Sequence, residues 1–329
     1  MTTTAVTGLS GTQLGALNTN GVTGLTTAQV NVLTGAQVAG FDTADIRTLS
    51  TTQVDSLTTA GISGITSTQA AVLTTTQIPV IDDYVAALTT TAFVVLSSTQ
   101  VASITALGVA SLTASQAAVI TSTQIPGFSV SVIPNLQGVI GSLTTTAFSA
   151  LSASQLAAFS NLSNMTAAQA GTLNSSQVGL LTATPIGTLT SSTVAGFTTA
   201  AISGFSATQL GNLSTAGVSG LTTTQLGVVT STQLNGFDVN DIATFSSTQV
   251  SGVTTTAIAA LTTDLVNVLS SNGAQGLTTA QVAVLSTNQI GALTTAVVAR
   301  LSTAQLGVIS TAQQVGLTST QVGALGSTQ

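Results

Sequence analysis

The residues best suited to chemistry are eight aspartates, and most of them fall in three pairs: Asp42/Asp45, Asp82/Asp83 and Asp238/Asp241. Paired carboxylates can ligate calcium or divide acid and base roles between them. The first and third pairs lie in "FDTADI" and "FDVNDI", a spacing that equally suits the first turn of a helix. Asp82/Asp83 stands at an irregularity beside Tyr84, the only tyrosine, and is the one place where a local ligand site is weighed. No D-x-[DN]-x-[DN]-G calcium loop occurs. Ser and Thr abound, but a hydroxyl nucleophile needs a base, and the chain has neither His nor Lys. The absence of His and Cys also removes the usual metal ligands and thiol chemistry. Gly61, Gly64, Gly217 and Gly220 lack the strand, Lys and helix of a phosphate loop and are expected to mark close packing. Arg47 and Arg300 are solitary and are expected to be solvated. No catalytic, cofactor-binding or metal-binding residue is assigned, and no enzyme is expected.

Composition bounds the rest. Only 3% of the 329 residues are charged, against roughly a quarter in ordinary soluble domains. Hydrophobic residues make up 43%, so the chain can bury a core and disorder is not expected. A net charge of −6 with two cations gives no footprint for nucleic acid or an anionic membrane surface. No apolar run approaches a membrane span. The opening "MTTTAVTGLSGTQ" has neither the basic start nor the apolar run of a signal peptide.

What must position these residues is a repeat. A large apolar residue returns every eight positions, as in Leu9, Leu17, Leu25 and Leu33, and later from Met165 through Leu221 and Leu277 to Leu325. Shorter steps fall near 81–88, 136–143 and 159–165. The consensus is L-[ST]-[ST]-x-Q-[VIL]-x-x. Position 2 is Ser, Thr, Asn or Asp, with Gln137 and Gly326 as exceptions. Position 5 is Gln in about half the units, position 6 is apolar, and positions 7 and 8 are mostly small.

A continuous helix fails, because eight residues overshoot two turns by about 80° and the leucine stripe would wind around the rod. A β-solenoid is an alternative, since Thr and Val suit strands. Yet positions 1 and 6 have opposite parity along a strand, and octads such as "LSSTQVAS" lack turn residues. One short helix per octad accounts for four position rules together. Position 2 is the N-cap, and its variants Asn18, Asp42, Asp82, Asn174 and Asp238 are the other preferred N-cap residues. Gln at position 5 is N3 and closes a capping box, while positions 1 and 6 form the hydrophobic staple. A helix of about six residues, roughly 9 Å long, cannot stand alone. The expectation is therefore an all-α repeat solenoid, a superhelix of very short helices, one per octad, over residues 1–329 as a single continuous array. Blocks of octads are duplicated, since 41–65 matches 237–261, and the short steps are expected to be kinks.

The phrase "LTTAQVAVLSTNQIGAL" resembles the Thr/Ser-rich repeat tracts of large bacterial surface proteins of the adhesin or haemagglutinin type. That resemblance implies an extracellular or cell-surface structural role as a stalk, fibre or adhesin segment. "LTxxQV" is also similar to the start of the first helix in repeats of DNA-binding TAL effectors, which implies only a helix beginning at the Thr. Neither end of the chain has an atypical polar cap. The expected partner is therefore another copy stacked end to end, or the remainder of a longer array. Surface glycans or ordered water on a Thr face, at Thr26/Thr27 and Thr74/Thr75 for example, form the alternative.

Overall fold

The octad folds as a capped turn. In "LTTAQVAV", Thr278 has extended backbone and its side chain accepts the Gln281 N–H, while Gln281 accepts the Thr278 N–H in return. The Val282 N–H then donates to Thr278 O (3.0 Å), and the next leucine, Leu285, donates its N–H to Val282 O (3.2 Å). These bonds satisfy helix-end groups that otherwise stay orphaned. Ser and Thr caps beat a strand here because the short side chain reaches an N–H three residues ahead only when the following backbone turns helically. The computed structural model describes residues 1–269 and 271–329, and the backbone alone at 271 and 272. The position-2 residue Ser270 lies outside the described residues. Among the described residues there are 35 α-helices, four 3-10 helices and no strand, so the β-solenoid alternative is set aside.

The chain divides into two compact units, Met1–Phe159 and Ser160–Gln329. In each, away from the 3-10 segments, a helix packs on the third helix before it and the third after it. In the first unit Gly11–Leu14 packs on Gly35–Val38, which packs on Thr59–Ser63. In the second, Ala167–Ala170 packs on Ser191–Gly196, then Thr215–Ser219, then Val239–Ala243. One coil of each solenoid is thus three octads, 24 residues. Positions 1 and 6 point inward. Leu277 and Val282 are 3% and 0% exposed, and the same pattern holds at Leu221/Leu226 and Leu285/Ile290. Phenylalanines at successive position-1 sites meet edge to face, Phe197 with Phe205 at 5.3 Å and Phe237 with Phe245 at 5.8 Å.

Small residues at position 8 let coils approach. A Cβ on Gly64 would lie 2.1 Å from Gly35 O, and one on Gly220 would lie 2.2 Å from Ser191 O. Gly61 and Gly217 play another part. They stand at position 5, where a Cβ would meet a leucine side chain of their own unit, Leu57 at 3.0 Å or Leu213 at 3.3 Å.

The short steps in the first unit are 3-10 segments: Ile78–Ala87 around the first, and Ile133–Gly138 with Ile140–Ser142 around the second. A 3-10 turn rises more per residue than an α turn, about 2.0 Å against 1.5 Å. The longer rise lets a seven-residue step take the place of an octad. Pro79 and Pro134 sit in the first turns of these segments, where a missing N–H leaves no bond unmade. The third step, 159–165, contains the boundary between the two units and no helix.

Candidate functional site: the position-5 seam between coils

Position 5 carries the most concentrated polar chemistry of the fold, and glutamine does three things there. Gln225 is 2% exposed. Its Oε1 accepts the Thr222 N–H at 2.8 Å, and its Nε2 donates to Val194 O and Phe197 O of the preceding coil, both at 2.8 Å. Gln37, Gln69, Gln116, Gln233 and Gln249 repeat the bridge 28 and 31 residues back. Each Gln therefore closes its own helix cap and ties its coil to the one before. The position-6 carbonyl accepts twice, from the next position-1 N–H and from the Gln, which fills both lone pairs. Among the described residues no buried side-chain nitrogen or oxygen lacks a partner.

The bridge runs on through the 3-10 segments. Gln100 reaches Leu73 O at 2.8 Å and Gln155 reaches Phe128 O at 2.7 Å, each over 27 residues instead of 28. The seven-residue step is absorbed as a one-residue shortening, and the coil-to-coil register is kept.

Units without Gln show what the seam requires. At Val297 the helix Thr295–Val298 still forms, capped by Thr294 at 3.3 Å, so the cap and staple suffice and Gln is dispensable for the helix itself. Thr193 is fully buried and donates its hydroxyl to Met165 O at 2.7 Å, which keeps the bridge with a shorter side chain. Pro185 offers no N–H, and Thr182 accordingly makes no side-chain cap bond. Where Leu265 replaces Gln, the Thr262 N–H is taken by Asn235 Oδ1 at 3.2 Å, from the preceding coil.

The acidic pairs sort into two kinds. Asp42/Asp45 and Asp238/Asp241 form complete capping boxes, with aspartate as both N-cap and N3. Burial pushes the Asp45 and Asp241 carboxyls above the usual aspartate range, with the neighbouring Asp42 and Asp238 charges adding to the rise and their backbone N–H bonds opposing it. Asp82 and Asp83 separate. Asp83 is exposed, Tyr84 is half-buried, and Asp82 is buried and accepts both the N–H (3.3 Å) and the hydroxyl of Thr105. Thr105 heads an octad whose position 5 is Gly108, and the Asp82 carboxylate fills the space where a side chain at Gly108 would begin. Asp82 does not cap its own unit as its position-2 place predicts, because it lies inside the 3-10 segment Ile78–Ala87; it is instead the missing box residue supplied by the preceding coil. Its carboxyl is likewise raised by burial, against the two Thr105 bonds that lower it.

Arg47 and Arg300 are exposed, and Arg47 borders a cleft of about 270 Å³ with Thr43, Ala44, Thr48 and Val72. Among the described residues no three His, Cys, Asp or Glu side chains cluster as a metal site would require, and no helix is long and apolar enough to cross a membrane. The outer surface instead stacks hydroxyls. In the first unit Ser50–Thr52, Thr74–Thr76, Ser97–Thr99 and Thr121–Thr123 lie on four successive coils, because their octads are bridged by Gln77, Gln100 and Gln124. Within them Thr74/Thr76, Ser97/Thr99 and Thr121/Thr123 pair at 2.9 Å. The Thr26/Thr27 hydroxyls are exposed one coil earlier, since Gln53 bridges to Leu25 O.

The sequence alone identifies the cap, the box and the staple. The second function of Gln, donation to the preceding coil, was missed. Its signal is present all the same: capping boxes accept Glu as readily as Gln, and this chain uses no Glu at all. At neutral pH a glutamine amide both accepts and donates, whereas a glutamate carboxylate only accepts.

A family model described as the ALTTAQ repeat matches residues 38–75 and 274–303, one segment in each unit. Both segments lie where the eight-residue spacing is unbroken, so a repeat family is indicated for these stretches. No curated protein matches the chain.

Proposed function

We propose that this chain is a structural repeat protein acting outside a bacterial cell, as a stalk, fibre or adhesin segment, without enzymatic activity. The observation that carries the proposal is the position-5 seam, which spends the buried polar groups of each unit on joining coil to coil. The charge-poor composition, the lack of His, Lys and Cys, and the resemblance of "LTTAQVAVLSTNQIGAL" to repeat tracts of surface proteins support the same role. In this role the coils bear length and load, and copies associate with one another or with the remainder of a longer array. Antibodies raised against the purified chain are expected to label intact producing cells, and negative-stain images are expected to show filaments at high concentration. Labelling only after lysis overturns the location, and compact monomers at every concentration overturn the self-association.

A second reading, a ligand-binding solenoid, is favoured by the stacked hydroxyls from Ser50 to Thr123. An uncharged hydroxyl surface of this kind suits ordered water or glycans. Thermal hysteresis or a positive glycan array, lost when Thr76, Thr99 and Thr123 are replaced by Val, supports it. The absence of both effects removes it.

A further inference from the structure

Asp45 and Asp241 are each 3% exposed and stand at position 5, where glutamine elsewhere donates to two carbonyls of the preceding coil. By register those carbonyls are Leu14 O and Leu17 O for Asp45, and Leu210 O and Leu213 O for Asp241. An ionised carboxylate is an acceptor only and cannot make the bridge. It also sits three residues from a second aspartate, which accepts from its backbone N–H at 2.8 Å for Asp45 and 2.9 Å for Asp241. Among the described residues no cation compensates either charge. The helix Thr43–Thr48 packs on Thr19–Thr23 and Ser67–Ala70, neither of which carries a titratable group, and its own Arg47 is exposed. The helix Val239–Ala243 packs on Thr215–Ser219, which has none, and on Thr263–Asn267, whose Asp264 is acidic and exposed. Asp82 differs, because two Thr105 donors satisfy it.

We propose that the two acidic boxes are acid-strengthened joints: at neutral pH each is a weak seam in its unit, and protonation of Asp45 and Asp241 tightens the coil there onto its neighbour. The duplicated "FDxxDI" places one such joint in each unit. The protonated carboxyl gains an O–H donor and loses an uncompensated buried charge. The direction of linkage agrees. Burial raises these two carboxyls in the folded chain. The folded form therefore holds their protons to higher pH than the unfolded form, and stability rises as pH falls toward the unfolded value.

The test compares melting temperature between about pH 7 and about pH 4.5 for the wild type, for Asp45→Asn with Asp241→Asn, and for Asp55→Asn with Asp264→Asn. The second pair removes the same charge from exposed positions. The wild type and the exposed-site variant are expected to gain stability in acid with parallel slopes. The Asp45/Asp241 variant is expected to melt higher than wild type at neutral pH and to show a flatter slope. A slope equal to that of wild type overturns the proposal. Should that variant fail to fold, carboxyl-carbon NMR of the wild type decides. Asp45 and Asp241 must titrate at higher pH in the folded chain than in the urea-unfolded chain, and amide protection in 43–48 and 239–243 must rise in the same step. Titration unchanged by unfolding overturns it.

Discussion

Replacing Gln225 by Glu separates two roles that one side chain performs at once. Glutamate keeps the acceptor for the Thr222 N–H, so the capping box survives. It loses the two donations to Val194 O and Phe197 O. Val194 O retains the Phe197 N–H at 3.2 Å, so the loss falls mainly on Phe197 O. Two net hydrogen bonds are worth about 1–3 kcal/mol together. A buried carboxylate with no compensating cation adds a penalty on the scale of about 3–5 kcal/mol. Methionine at the same site fills similar volume without charge. It forfeits all three bonds, for about 2–4 kcal/mol. Glutamate should thus be the more harmful substitution at neutral pH, and the gap should close in acid as the protonated carboxyl regains a donor. Urea melts followed by far-UV circular dichroism measure the total, fitted with a nearest-neighbour model because repeat arrays lose all-or-none cooperativity. Hydrogen exchange at residues 189–197 reads the seam locally. A Gln225→Glu variant within about 0.5 kcal/mol of wild type at neutral pH, beside a destabilised Met variant, refutes the donor role and leaves Gln as a cap residue alone.

Four further outcomes follow from the same geometry. Gly220→Val should lose at least about 1–3 kcal/mol by forcing a side chain against Ser191 O. Gly307→Ala, where a Cβ meets nothing within 4 Å, should gain about 0.4–1 kcal/mol, and thermal melts of the two variants measure both. Thr278→Ala should cost about 1 kcal/mol through its lost cap, read by exchange of the Gln281 amide. Asp82→Ala should loosen the helix Ala106–Ala110, whose N-cap Thr105 lies 23 residues along the chain, and Asp82→Asn should restore part of that protection through its remaining amide oxygen.

The repeat made the local fold legible because each rule, N-cap at position 2 and staple at 1 and 6, operates within eight residues. Thr278 with Gln281, Ser286 with Gln289 and Ser302 with Gln305 form the boxes their spacing predicts. The number of octads per coil was not legible, since nothing local to an octad says which later octad it will touch. The clue lay across 28 residues, in amides such as Gln225 that have one more hydrogen-bonding function than a cap needs. Asp82 was hidden for the same reason. Its partner Thr105 is remote in sequence, and the empty space at Gly108 that it fills exists only once the coils are stacked.

Stacking also explains why charge is so scarce. With three octads per coil, a position inside either unit lies beside its counterpart 24 residues away, or 23 where a seven-residue step intervenes. A charged residue written into the consensus would build a column of like charges along the solenoid, and directly opposed like charges destabilise. The aspartates that do occur obey this constraint. Asp42 falls between Asn18 and Thr66, Asp45 between Gly21 and Gln69, Asp238 between Ser214 and Thr262, and Asp264 between Asn240 and Asn288. Asp82 and Asp83 lie between Thr58/Thr59 and Thr105/Ala106 once the seven-residue step is counted. No aspartate among them has another at its own position on an adjacent coil. An array that must repeat one sequence in register is driven to neutral side chains that both donate and accept, because only those remain complementary when stacked on copies of themselves. Thr, Ser, Asn and Gln are the residues that meet this condition, and they are what the polar positions of this chain contain.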